Sequence, residues 1–197
     1  MNVHTLLRRI EDLRLLDGTA ATIARSVRKA LDSSGANDVL RGSWLGHPLH
    51  PLMVTVPIGA FVGAAVLDLA PGNQDAARTM TGLGLAATAP TALLGLADYA
   101  DLDERQRRVG VVHALSNTVA AAFFTGSYLS RARGAHTRGK VLSTLGLTVL
   151  GLGGALGGHL AYAQGAGVFR WQDPAPVTQA LSPQPVVGGP AKGDVRV

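Results

Sequence analysis

Residues 141–163 read VLSTLGLTVLGLGGALGGHLAYA. These 23 residues carry no charge. At about 1.5 Å per residue, a helix of this length crosses a hydrocarbon core of about 30 Å. Gly153/Gly157 and Gly154/Gly158 are pairs of small residues four apart, which let a neighbouring helix approach closely. Working outward, three more stretches have the same character: residues 49–70, 79–97 and 109–129. The links between them (71–78, 98–108 and 130–140) are short, so successive spans become antiparallel neighbours. The expectation is an all-α integral membrane protein built as an antiparallel four-helix transmembrane bundle. Pro57 and Pro90 fall inside spans one and two and are expected to kink them.

Composition agrees. Of 197 residues, 47% are hydrophobic and 16% charged, against about 25% charged in ordinary soluble proteins. Mean hydropathy is +0.22. This argues against a soluble enzyme and against disorder throughout. The absence of Cys removes disulfides, Cys-ligated iron–sulfur clusters and zinc–thiolate sites. A net charge of +5 in such a chain points to cytoplasmic flanks and anionic membrane lipid, not nucleic acid.

The chain divides into three parts. Residues 1–43 are basic, with apolar stripes at Val3, Leu6, Leu7, Ile10, Leu13 and Leu16 and at Ala20, Ile23, Ala24, Val27, Ala30 and Leu31. Asp17-Gly18-Thr19 is expected to break the helix between the stripes. Such an amphipathic segment either lies on the membrane surface or packs on the bundle, and the pattern does not choose. Residues 44–168 form the four-span domain. Residues 169–197 hold five of the ten prolines and read as a disordered tail. The side that holds the N-terminus, here side A, carries 13 of the 18 Lys and Arg residues. That bias places both termini in the cytoplasm and the protein in the cell membrane. Trp44, Tyr99, Tyr162 and Trp171 flank the same side as an interfacial belt.

The histidines carry the chemistry. His47 and His50 open span one, His113 lies four residues into span three, and His159 lies four residues from the end of span four. All four therefore converge on one layer at side A, with Asp98 closing span two beside them. In Gly46-His47-Pro48-Leu49-His50-Pro51, the prolines favour extended geometry of three residues per turn, which aims His47 and His50 the same way. Pro51 suits a first helical position. Asn117 lies one turn below His113 on the same face. His4 and His136 are expected to be solvated. Asp68 is expected to pair with Arg78 across the first external loop.

Intramembrane ionisable groups are costly without a partner. Four uses fit: haem with axial imidazoles, another metal ion, a proton or quinone site, or a self-satisfied hydrogen-bond cluster. For haem b the expected cofactor-binding residues are His113, His159 and His50, with Arg105 or Arg108 meeting the propionates. For a metal ion the expected set is His47, His50, His113, His159 and Asp98, the first and last being the outer members.

The strings Gly46-His47-Pro48-Leu49-His50-Pro51-Leu52 with Pro57-Ile58-Gly59, Gly95-Leu96-Ala97-Asp98-Tyr99, Val112-His113-Ala114-Leu115-Ser116-Asn117 and Gly157-Gly158-His159-Leu160-Ala161-Tyr162-Ala163-Gln164-Gly165 resemble a four-span bacterial membrane family, domain of unknown function 2231. The resemblance covers residues 43–168 and carries no established activity. In many relatives a similar module precedes a Rieske iron–sulfur domain, so it implies electron transfer as a setting. With no cysteine here, a Rieske-type partner would act in trans. Some relatives carry a further His near Gln164.

Two functions from different classes follow: a membrane redox module binding haem or metal through the histidine layer, or a cofactor-free structural protein that docks a partner. A transporter has less to support it, because no internal repeat is visible. No Gly-x-Ser-x-Gly nucleophile motif, phosphate loop or dinucleotide fingerprint occurs.

Overall fold

The structure, a computed structural model, describes residues 2–168. The tail expected at 169–197, with Trp171, lies outside them, as does the side chain of His4. All regular structure among the described residues is helical: α1 (Val3–Glu11), α2 (Asp17–Ser34), α3 (Asn37–Arg41), α4 (Leu49–Met53), α5 (Thr55–Leu67), α6 (Gln74–Tyr99), α7 (Glu104–Ala132) and α8 (His136–Gly158). Four stretches are long and apolar enough to cross a membrane: Leu49–Leu67, Gln74–Tyr99, Glu104–Ala132 and His136–Ala163. The last three begin earlier than hydropathy suggests, because each opens with a polar turn. At the start of α7 that turn is built: Asp103 accepts from Gln106 N (2.9 Å), and the Gln106 side chain accepts from Asp103 N (3.0 Å).

Glycines set the helix register. As α8 advances from Gly139 through Gly146 and Gly153 to Gly157, the side chains that would meet an added Cβ are Arg131, Phe124, Asn117 and His113. The steady retreat along α7 makes α7 and α8 antiparallel. Likewise Gly84 lies against Phe61 and Gly95 against His50, so the first two spans are antiparallel. Contacts of α5 with α8 close the bundle. At its centre the Phe61 and Phe124 rings stack, with centroids 3.6 Å apart and planes within 1°. Lipid is as apolar as a leucine side chain, so helices in a bilayer associate through such close fits and not through water exclusion. Only one of the two glycine pairs in α8 is used inward: Gly153 and Gly157 face α7, whereas Gly154 and Gly158 meet nothing within 4 Å.

The two prolines behave differently. Pro57 cannot donate to Met53, and the first span is divided there, α4 ending at Met53 and α5 starting at Thr55. The Met53 carbonyl stands 3.4 Å from the Thr91 hydroxyl, whose shorter bond goes to Ala87 O at 2.7 Å. By contrast, α6 runs through Pro90 without interruption.

The N-terminal helices pack on the side A end of the bundle. Ala24 joins Tyr99, Leu102, Val109, Leu156 and Leu160 in one cluster, and Leu31 packs with Ala97 and Ala100. Tyr99 donates its hydroxyl to the Ala20 carbonyl (3.3 Å), and Arg28 donates to Ala100 O (2.5 Å). Of the two settings open to an amphipathic segment, this chain takes packing on the bundle. The break between the stripes also falls earlier than expected. α1 ends at Glu11, a tight turn covers Arg14–Leu16, and Asp17 already begins α2.

At the opposite end, the expected Asp68–Arg78 pair is replaced. Asp68 takes both terminal nitrogens of Arg131 at 2.7 and 2.5 Å, and Arg78 pairs with Asp75 (3.6 Å). The local pair is favoured by sequence distance, but Arg131 is fully shielded and needs the carboxylate more.

Candidate functional site

Two histidines of the side A layer point their Nδ1 at main-chain carbonyls of a neighbouring span. His50 Nδ1 donates to Thr91 O at 3.0 Å, and His113 Nδ1 donates to Gly153 O at 2.8 Å. A carbonyl can only accept, so each ring carries its proton on Nδ1 and turns an Nε2 lone pair outward. Glycines make room for both rings: an added Cβ at Gly95 would stand 2.8 Å from His50, and one at Gly157 would stand 3.0 Å from His113. His113 Nε2 accepts from Asn117 Nδ2 at 3.0 Å, which confirms the shared face expected from their spacing.

His159 goes elsewhere. Its Nε2 donates to Glu11 Oε1 at 2.6 Å, and the same oxygen accepts from Gln164 Nε2 at 2.9 Å. Arg105 holds the other Glu11 oxygen. Arg108 donates to the Glu11 carbonyl (2.8 Å) and forks onto Asp17 at 2.6 and 2.8 Å. His159 opens a π-helical turn, His159–Ala163, whose extra residue per turn carries Gln164 round to the same carboxylate. Of the two arginines expected to meet propionates, Arg108 is thus committed to the N-terminal segment through all three of its nitrogens, and Arg105 is tethered there through one.

The outer members are also placed. His47 is exposed, its Nδ1 donating to Pro48 O at 3.3 Å. Helix α4 starts at Leu49, ahead of the expected Pro51, so His50 is already helical and turns inward while His47 stays outside. The paired aim expected of the two is therefore corrected. Asp98 is half-buried near the end of α6. Among the described residues no three His, Cys, Asp or Glu side chains are grouped so that they could hold a metal ion. His136, expected in solvent, is half-buried, with its Nδ1 shielded.

Glu11 is the residue that sequence reasoning missed. It follows Leu7 by four residues on the apolar face of α1, where a carboxylate has no reason to sit without a partner. It also stands at a helix C-terminus, where the backbone dipole disfavours negative charge. Those two violations were the available signal. Burial alone would raise its pKa, but the bonds from His159, Arg105 and Gln164 outweigh burial and hold it at about 2. The fork from Arg108, against a smaller contribution from burial, keeps Asp17 below the usual carboxylate range.

A pH dependence follows. A carboxyl whose pKa is depressed on folding stabilises the fold above its unfolded value, here 4.5, and loses that contribution as pH falls toward 2. Hydrogen exchange in α1 should be flat from neutral pH to about 4.5, after correction for intrinsic rates, and then rise progressively. Glu11→Gln should raise exchange at neutral pH and flatten the acid limb. An unchanged acid limb in that variant would detach the effect from Glu11.

In comparison with known proteins, a family described as "Predicted membrane protein (DUF2231)" matches residues 46–170. No curated protein and no solved structure matches the chain.

Proposed function

The chain belongs to the membrane family of domain of unknown function 2231, and on that footing we propose that it is a membrane redox module in which His50 and His113 hold the iron of a b-type haem. The observation that carries this reading is the shared tautomer. Imidazoles that ligate metals characteristically donate their second N–H to a carbonyl or carboxylate, as His50 does to Thr91 and His113 to Gly153. Both then offer Nε2, the nitrogen that stands clear of the side chain and can meet a porphyrin plane. His159 has its Nε2 on Glu11 and leaves only Nδ1, crowded by its own Cβ. A bare ion wants three or four protein ligands, whereas haem supplies four nitrogens and asks for two axial ones.

Bound haem would supply one-electron chemistry. The chain's own residues fix the two rings, and Asn117 would release His113 Nε2 on ligation. A Rieske-type iron–sulfur protein in trans is the proposed partner, and the basic excess of side A supports a setting in the cell membrane with that face toward the cytoplasm. The test is the absorption spectrum of protein expressed with haem supply and purified in detergent. A Soret band with one haem per chain is expected, and its absence would overturn the reading. The cofactor-free alternative, a structural or docking protein, draws on Asn117, which already satisfies His113. It predicts no band and an unchanged fold.

A further inference from the structure

A cleft of about 300 Å³ opens at side A between the end of α1, the start of α7 and the end of the π-helical turn. It is lined by Glu11, Asp103, Arg105, Gln106, Ala163 and Gln164. Gln164 is fixed at both ends: its Nε2 is held by the Glu11 carboxylate (2.9 Å) and its carbonyl by Gln106 Nε2 (2.9 Å). Since a carboxylate only accepts, the amide cannot be flipped, and the Gln164 Oε1 is left buried with no hydrogen-bond partner. Asp103 uses one carboxylate oxygen to cap α7. Arg105 is two-thirds exposed (67%) and is tethered to Glu11 through one terminal nitrogen, so its remaining N–H groups are open.

The cleft thus offers acceptors on one wall and a guanidinium on the other. A simple anion would meet Glu11 and Asp103, and a simple cation would meet Arg105. A molecule carrying both signs meets neither objection. The ends of the spans put the cleft at headgroup depth, because Ala163 closes the fourth candidate span and Glu104 opens the third. We propose that this cleft binds a zwitterionic ammonium–phosphate headgroup, that of a phosphatidylethanolamine-type lipid. The ammonium donates to Asp103 and, on displacing the contact that shields it, to Gln164 Oε1, and the phosphate accepts from Arg105. The site makes no use of the histidine pair assigned to haem and stands or falls separately.

Native mass spectrometry of the full chain, delipidated and then offered phosphatidylethanolamine, phosphatidylcholine or phosphatidylglycerol, tests it. Phosphatidylethanolamine should be retained about tenfold better than either, since choline has no N–H and glycerol no cation. Arg105→Gln should bring it down to the level of phosphatidylcholine. Equal retention of the ethanolamine and choline lipids by the wild-type chain overturns the proposal, and that comparison needs no variant to fold. Soluble phosphoethanolamine separates the sources. Displacement of bound lipid assigns recognition to the headgroup alone, and retention against it assigns recognition to the intact lipid.

Discussion

Asp68→Asn is expected to destabilise the bundle by about 3–5 kcal/mol, the cost of stripping a buried cation of its partner. The Arg131 side chain is fully shielded (0% exposed) and its guanidinium is never deprotonated, so it cannot escape by losing its charge. Besides the fork onto Asp68, its Nε donates to the Ser127 hydroxyl at 3.1 Å, which donates in turn to Gly139 O at 2.7 Å. Lys140 donates to the Asp68 carbonyl at 2.7 Å. Asp68 therefore ties the end of α5 to α7 through its carboxylate and to α8 through its main-chain carbonyl. Replacing both charges, as Asp68→Leu with Arg131→Met, should recover most of the loss, because well-packed apolar side chains do about as well as a buried pair. Arg78→Ala should change stability by less than about 0.5 kcal/mol, since its pair with Asp75 lies in solvent. Thermal unfolding in detergent reads all three. An Asp68→Asn variant that melts with the wild type would show that Arg131 is held by something else.

Hydropathy made the four spans legible because a 30 Å hydrocarbon core demands long uncharged runs. The antiparallel order followed from link length. Which glycine pair of α8 would face inward did not, since Gly153/Gly157 and Gly154/Gly158 are equivalent as strings; the choice depends on Asn117 and His113 across the interface. Asp68 found its partner 63 residues away, where no local rule reaches. That His50 and His113 lie toward the side A ends of their spans was readable from depth. Their orientation was not, because the groups that fix it are the main-chain carbonyls of Thr91 and Gly153, which leave no trace in residue type. The bond between His159 and Glu11 was not legible, because 148 residues separate the two.

If His50 and His113 are the two haem ligands, the histidine substitutions have all-or-none effects. His50→Ala or His113→Ala each removes one of the two proposed axial ligands and is expected to abolish stable haem retention. His159→Ala frees Glu11 and loosens α1, yet leaves both proposed Nε2 donors in place, so haem should stay. The absorption spectra of these three variants, purified side by side with the wild type after expression with haem, put the question most directly. A Soret band is expected in the wild type and in His159→Ala, and none in His50→Ala or His113→Ala. A band that survives loss of His50 or His113 but vanishes with His159 would contradict that assignment.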